Sequence, residues 1–162
     1  MLHGWPGSVR EFYDIIPKLA LPNDELDIVF EVVAPSLPGY GWSDGASKPG
    51  FGPIEMSIVL RKLMIRLGYE KFYIQGGDWG SALGSLIATI FPENVIGYHS
   101  NMCFTNSPMA NVKAFIASNY PSGFVDEKYQ HFHFPMSEKY KYLIEESGYM
   151  HLQGSKPDTI GL

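Results

Sequence analysis

Lys71-Phe72-Tyr73-Ile74-Gln75-Gly76-Gly77-Asp78-Trp79-Gly80 is the stretch on which the reading of this chain turns. A short apolar and aromatic run suited to a buried strand leads into two glycines, and a helical pattern starts directly afterwards. Glycines at 76, 77 and 80 allow a strand to turn sharply into a helix, so that the central side chain stands clear of the backbone at the top of a sheet. Such a turn is a nucleophile elbow, here carrying aspartate where many enzymes carry serine. A carboxylate with an unperturbed pKa of about 3.9 is already ionised at neutral pH and needs no base before it attacks carbon. An Asp N-cap after a glycine turn fits the same five residues, so the reading needs support elsewhere.

Outward from the elbow, residues 81–91 carry Leu83, Leu86, Ile87 and Ile90 at helical spacing and stop at Pro92, and residues 95–100 read as a strand. Upstream, Pro53 opens a helical pattern with Met56, Val59, Leu60, Leu63 and Leu67 on one face, closed at Gly68. Residues 28–34, Ile-Val-Phe-Glu-Val-Val-Ala, form a nearly unbroken β-branched run of the kind expected of a parallel strand covered on both faces. Alternating strands and helices predict an α/β fold with right-handed crossovers and a parallel sheet. From Asn106 onward, prolines at 108, 121 and 135 break that alternation, and residues 137–147 read as a helix. The expected organisation is a core over residues 1–105 and a second segment over 106–162.

Near the start, His3-Gly4-Trp5-Pro6-Gly7 precedes Ser8-Val9-Arg10-Glu11. The latter is a capping box, and it predicts a helix with Phe12, Ile15, Ile16 and Leu19 inward. By itself the first motif is a loop with several breakers. An Asp elbow some seventy residues downstream makes it specific.

These motifs, together with Pro35-Ser36-Leu37-Pro38-Gly39-Tyr40-Gly41-Trp42-Ser43, Glu146-Ser147-Gly148-Tyr149-Met150-His151-Leu152-Gln153 and Lys156-Pro157-Asp158-Thr159, resemble the microsomal epoxide hydrolase family. Residues 96–102, Ile-Gly-Tyr-His-Ser-Asn-Met, are most similar to its insect juvenile hormone branch. The resemblance runs in order along the whole chain. It implies an α/β-hydrolase fold, present as a partial parallel sheet followed by the start of a helical cap. It implies Asp78 as nucleophile, Tyr149 as proton donor to the epoxide oxygen, and the backbone N–H groups of Trp5 and Trp79 as the oxyanion hole. The substrate it implies is a small lipophilic epoxide such as juvenile hormone, converted to a diol through an Asp ester. No cofactor or metal is expected.

Full-length members of that family carry a membrane anchor and reside at the endoplasmic reticulum. The present chain shows no anchor in its sequence. Its first residue stands directly before the His-Gly loop, and it stops after the Lys-Pro-Asp-Thr segment, so it reads as an internal piece. The relay histidine and acid would lie beyond it, as would a second lid tyrosine. On that reading the chain alone is inactive and marginally folded, because residues 28–34 and the strand at 71–75 lack the member that joins them. Two other functions stay open, a haloalkane dehalogenase, which also uses an Asp elbow followed by Trp, and a non-catalytic remnant acting as a binding protein.

Composition narrows the remaining classes. With 162 residues, 45% hydrophobic and 14% aromatic, the chain is neither disordered nor of low complexity. A net charge of -5 argues against nucleic acid and against a polybasic membrane patch. Cys103, the single cysteine, reads as a small buried hydrophobe. Gly39-Tyr40-Gly41-Trp42 lacks the ending of a phosphate loop and reads as a shaped loop near the site. His131 and His133 have no third ligand at zinc spacing, and His99 and His151 are weak candidates for a substitute base.

Overall fold

The computed structural model describes residues 1–22, 28–103, 107–133 and 136–159. Two compact units divide the chain, Met1–Cys103 and Phe104–Leu162.

In the first unit, Ser8 accepts a hydrogen bond from the Arg10 N–H at 3.2 Å and starts a 3-10 turn over Val9–Phe12. Helix α1 then covers only Ile16–Ala20. The single helix expected from the capping box is therefore broken in two, and Pro17 supplies a reason. It has no N–H to donate and its ring clashes with the carbonyl of the preceding turn, so it begins a helix more readily than it sits within one.

Helix α2, Pro53–Arg66, begins with proline at its first position, and Glu55 accepts from the Gly52 N–H at 2.9 Å. Strand β1, Phe72–Gly76, follows, then helix α3, Trp79–Ile90, a 3-10 turn over Pro92–Asn94 and strand β2, Val95–Ser100. β1 and β2 pair in parallel with Gly76 opposite Ser100, and a parallel pair joined by a helix is the expected crossover unit. Leu2 adds an isolated parallel bridge to Gly76 on the other side of β1, with its N–H on the Gln75 carbonyl at 2.8 Å.

Leu2, Leu37, Leu60, Phe72, Ile74, Leu83 and Ile87 form the core. One face of β1 supplies Phe72 and Ile74, while α2 and α3 supply leucines and an isoleucine at helical spacing. The two helices also meet at the buried Ser57, whose hydroxyl lies 2.8 Å from the Pro53 carbonyl of its own helix and 3.5 Å from the Leu83 carbonyl of α3.

Residues 28–34 depart from expectation. They join no ladder, and Ile28 and Val29 are exposed at 63% and 51%. The Phe30 N–H donates to Leu19 and the Val33 carbonyl accepts from the Met1 amino group. β-branched composition favours an extended backbone, but a strand exists only when a neighbour supplies the other half of each hydrogen bond. A cavity of about 790 Å³ lies along this flank, lined by Val29, Val33, Leu60, Phe72 and Ile74 among others; Asp78, Trp5 and Trp79 do not line it.

The second unit is helical among its described residues: α4, Pro108–Asn119; α5, Glu127–His133; α6, Met136–Glu146; and α7, Gly148–Ser155. Pro108 and Pro121 open helical turns here. Ser107 caps α4 by accepting from the Ala110 N–H at 3.0 Å. The expected break at Pro135 lies outside the described residues. No helix among them is long and apolar enough to cross a membrane.

Candidate active site

Asp78 sits between β1 and α3 with φ 52° and ψ −124°. Among the described residues it is the one non-glycine with positive φ. L-residues avoid this region at a cost on the order of 1–3 kcal/mol, and they persist there when the surrounding structure over-determines them. Here the constraint is a strand locked in a sheet on one side and a helix packed on the core on the other.

The His-Gly loop meets this turn. The Trp5 N–H donates to Asp78 Oδ1 at 2.7 Å across 73 positions of sequence, a short charge-assisted bond. The Trp5–Pro6 peptide bond is cis. Gly4 passes directly over the aspartate: a Cβ on it would lie 2.7 Å from Asp78 Cγ and closer still to Cβ and Oδ1. Only glycine lets the loop come near enough to aim its N–H at the carboxylate. Trp79 is the first residue of α3, so its N–H is one of the first-turn donors that have no intrahelical partner. Trp5 and Asp78 are thus brought together as expected, and Trp79 stands next to the same carboxylate.

His3 holds the loop from beneath. It is fully buried. Its Nε2 accepts from the Leu37 N–H at 3.0 Å, which leaves the ring proton on Nδ1, where it donates to the Gly4 carbonyl at 3.1 Å. His3 therefore buckles the loop carrying Trp5 to the loop starting at Leu37, and the Tyr40 ring stands edge-on to it at 5.3 Å. Sequence reading found the His-Gly motif but not this role. Its signal is a histidine inside an otherwise apolar, glycine-rich turn, and its partner lies 34 residues away. His3→Ala would leave the Leu37 N–H buried and unpaired and is expected to lower stability by about 1–3 kcal/mol in urea unfolding.

Tyr40 lies in the shaped loop at Gly39-Tyr40-Gly41, both glycines having positive φ. Burial first, and the Asp78 carboxylate second, push its phenol above the usual tyrosine range. The phenol binds its proton more tightly folded than unfolded. The associated stability is present below the unfolded pKa of about 10 and is lost as pH rises through the higher folded value. Tyr40→Phe is expected to flatten the fall of melting temperature above pH 10, leaving the profile at pH 6–8 unchanged. A variant that loses stability at alkaline pH as steeply as the parent would contradict it.

The other candidates lie on other elements. Tyr149 is the second residue of α7 and is 45% exposed. It belongs to the second unit, whereas Asp78 belongs to the first. His99 lies on β2 opposite Gln75, and His131 and His151 are exposed on α5 and α7. Cys103, expected to be buried, is exposed, because the chain has already left the sheet at Ser100.

A carboxylate on a strand-to-helix elbow, faced by a backbone N–H from a neighbouring loop, is the architecture of a hydrolase core. Residues 1–139 match the alpha/beta hydrolase fold family, and the chain belongs to that family. It is 52% identical over all of its 162 residues to juvenile hormone epoxide hydrolase 1 of Ctenocephalides felis and 50% identical over the same length to juvenile hormone epoxide hydrolase of Manduca sexta. In each case it spans 35% of the relative's length. The crystal structure of juvenile hormone epoxide hydrolase from Bombyx mori superposes with a TM-score of 0.92 at 50% identity, covering 99% of this chain and 38% of that one.

Proposed function

We propose that these residues form the nucleophile-bearing part of an epoxide hydrolase acting on small lipophilic epoxides, with juvenile hormone as the leading substrate. The observation that carries the reading is the bond from the Trp5 N–H to Asp78 Oδ1. It ties up one carboxylate oxygen and leaves the other to attack.

Attack of Oδ2 on an epoxide carbon forms a C–O bond while the ring C–O bond breaks and its electrons go to the ring oxygen. Tyr149, as a lid donor, would protonate that alkoxide. Oδ1 then becomes the ester carbonyl oxygen. Water then adds to the ester carbon and gives one proton to the relay histidine that the resemblance implies, from which it returns to the Tyr149 phenolate. Negative charge meanwhile gathers on Oδ1, where the Trp5 N–H already points and the Trp79 N–H would be the second donor. Ester cleavage releases the diol and restores the Asp78 carboxylate. Core and cap would correspond to residues 1–105 and 106–162. Residence at the endoplasmic reticulum membrane belongs to the same proposal, supported by the resemblance to microsomal members.

Mass spectrometry after brief exposure to a lipophilic epoxide tests it. The expected result is a stoichiometric adduct that maps to Asp78. Labelling of Asp78 by a haloalkane but by no epoxide would point to dehalogenase chemistry, and no labelling by either would favour the binding-protein reading. Tyr149→Phe is expected to slow adduct formation by roughly 10²-fold, the scale of a general acid, with little change in half-saturating concentration. An unchanged single-turnover rate in the folded variant would return Tyr149 to a packing role.

A further inference from the structure

Behind the elbow lies a polar knot that the chemistry above does not use. Ser81, 4% exposed, is in the first turn of α3. Its N–H lies 3.0 Å from the Asp78 carbonyl and 3.3 Å from that of Gly77. Its hydroxyl donates to the Met102 carbonyl and lies 2.5 Å from Ser100 Oγ and 3.1 Å from the Tyr98 hydroxyl. The Tyr98 hydroxyl also reaches the Ser81 carbonyl at 2.6 Å, and Ser100 Oγ reaches the Met102 carbonyl at 2.8 Å and accepts from the Met102 N–H at 3.1 Å. One small side chain thus joins the helix that follows the nucleophile to the end of β2.

Between Ser100 and Met102 stands Asn101. Its N–H donates to the Gly76 carbonyl at 3.4 Å, and its amide group packs on Gly77. The residues tied together by Ser81 therefore enclose the elbow from the side opposite Trp5.

We propose that Ser81 is a positioning residue for Asp78, and that its hydroxyl, through Ser100 and Met102, holds the aspartate in its positive-φ conformation and in line with the Trp5 N–H. A strained backbone needs restraints on every side. The backbone N–H of Ser81 is bonded to the elbow itself, so any shift of the hydroxyl is transmitted to Asp78 through one helical turn. Satisfied networks of this kind are more rigid than their separate bonds suggest, because each group orients the next. An ordinary core serine would need one partner, whereas this hydroxyl has three.

The inference rests on Asp78 as nucleophile, and its test separates the two claims. In the full chain, Ser81→Ala is expected to slow single-turnover alkylation of Asp78 by tenfold or more at an unchanged half-saturating epoxide concentration. Ser100→Ala should give a smaller loss, and the double variant should be no slower than Ser81→Ala alone, since both remove the same restraint. Hydrogen exchange at the Trp5 amide is read in parallel and does not depend on catalysis. It should accelerate at least tenfold in Ser81→Ala relative to a core amide such as Ile74. Unchanged exchange at Trp5, acceleration equal at Trp5 and Ile74, or fully additive rate losses would overturn the proposal. If the parent forms no adduct, the epoxide reading fails while the exchange comparison still decides the role of Ser81.

Discussion

Asp78→Ala is expected to abolish the covalent adduct and to lower any diol formation by at least about 10⁴-fold, the scale seen when a nucleophile is removed from a covalent mechanism. No neighbour substitutes for it. The side chain is placed by a φ of 52° at the one point where strand, helix and His-Gly loop converge. The variant keeps the strained backbone and removes the acceptor of the Trp5 N–H, so a stability loss of about 1 kcal/mol should accompany the loss of chemistry. That loss is too small to unfold a domain, and a thermal melt on the same sample distinguishes the causes. An adduct of normal yield on the variant would show that the nucleophile is another residue.

Gly80→Ala is expected to have the largest effect on stability. A Cβ at this position would run into the Leu2 carbonyl and come within 2.8 Å of the His3 carbonyl. Both obstacles are backbone, and both belong to the segment that bridges β1 and carries the His-Gly loop. The chain cannot turn a side chain aside to make room. Either α3 moves off the sheet, opening the packing of Leu83 and Ile87 around Ile74, or Leu2 leaves its bridge to Gly76. Overpacking typically costs about 1–3 kcal/mol where side chains can adjust, and with rigid backbone on both sides the cost should reach or exceed the upper end. Against a typical domain stability of about 5–15 kcal/mol, that is a loss readily seen in urea unfolding. Wild-type stability in Gly80→Ala would show that α3 and the Leu2 segment can separate without cost.

The elbow was legible because everything it needs is local. Phe72 to Gly76 alternate in burial along a strand, the glycines beside Asp78 permit the turn, and Leu83 and Ile87 recur at helical spacing. The meeting of the Trp5 N–H with the Asp78 carboxylate is foreshadowed by the resemblance of its loop and not by any periodicity. The helix after Ser8 failed at Pro17, a residue whose chemistry was in plain view but was outweighed by an apolar face. Residues 28–34 failed for a different reason, since propensity describes the strand and says nothing about its neighbour.

The sequence by itself determined the element types around Asp78 and the identity of the acidic group, because backbone preference and side-chain spacing are properties of short segments. Only the tertiary structure decided that His3 is a neutral buckle to Leu37, that Tyr40 feels the Asp78 charge, and that Ser81 meets Ser100 and Met102. Each of those depends on a hydrogen bond or a Coulomb interaction across 17 or more positions of chain. Such interactions act over a few ångströms in a low-dielectric interior, so they exist only once folding has brought distant residues within reach.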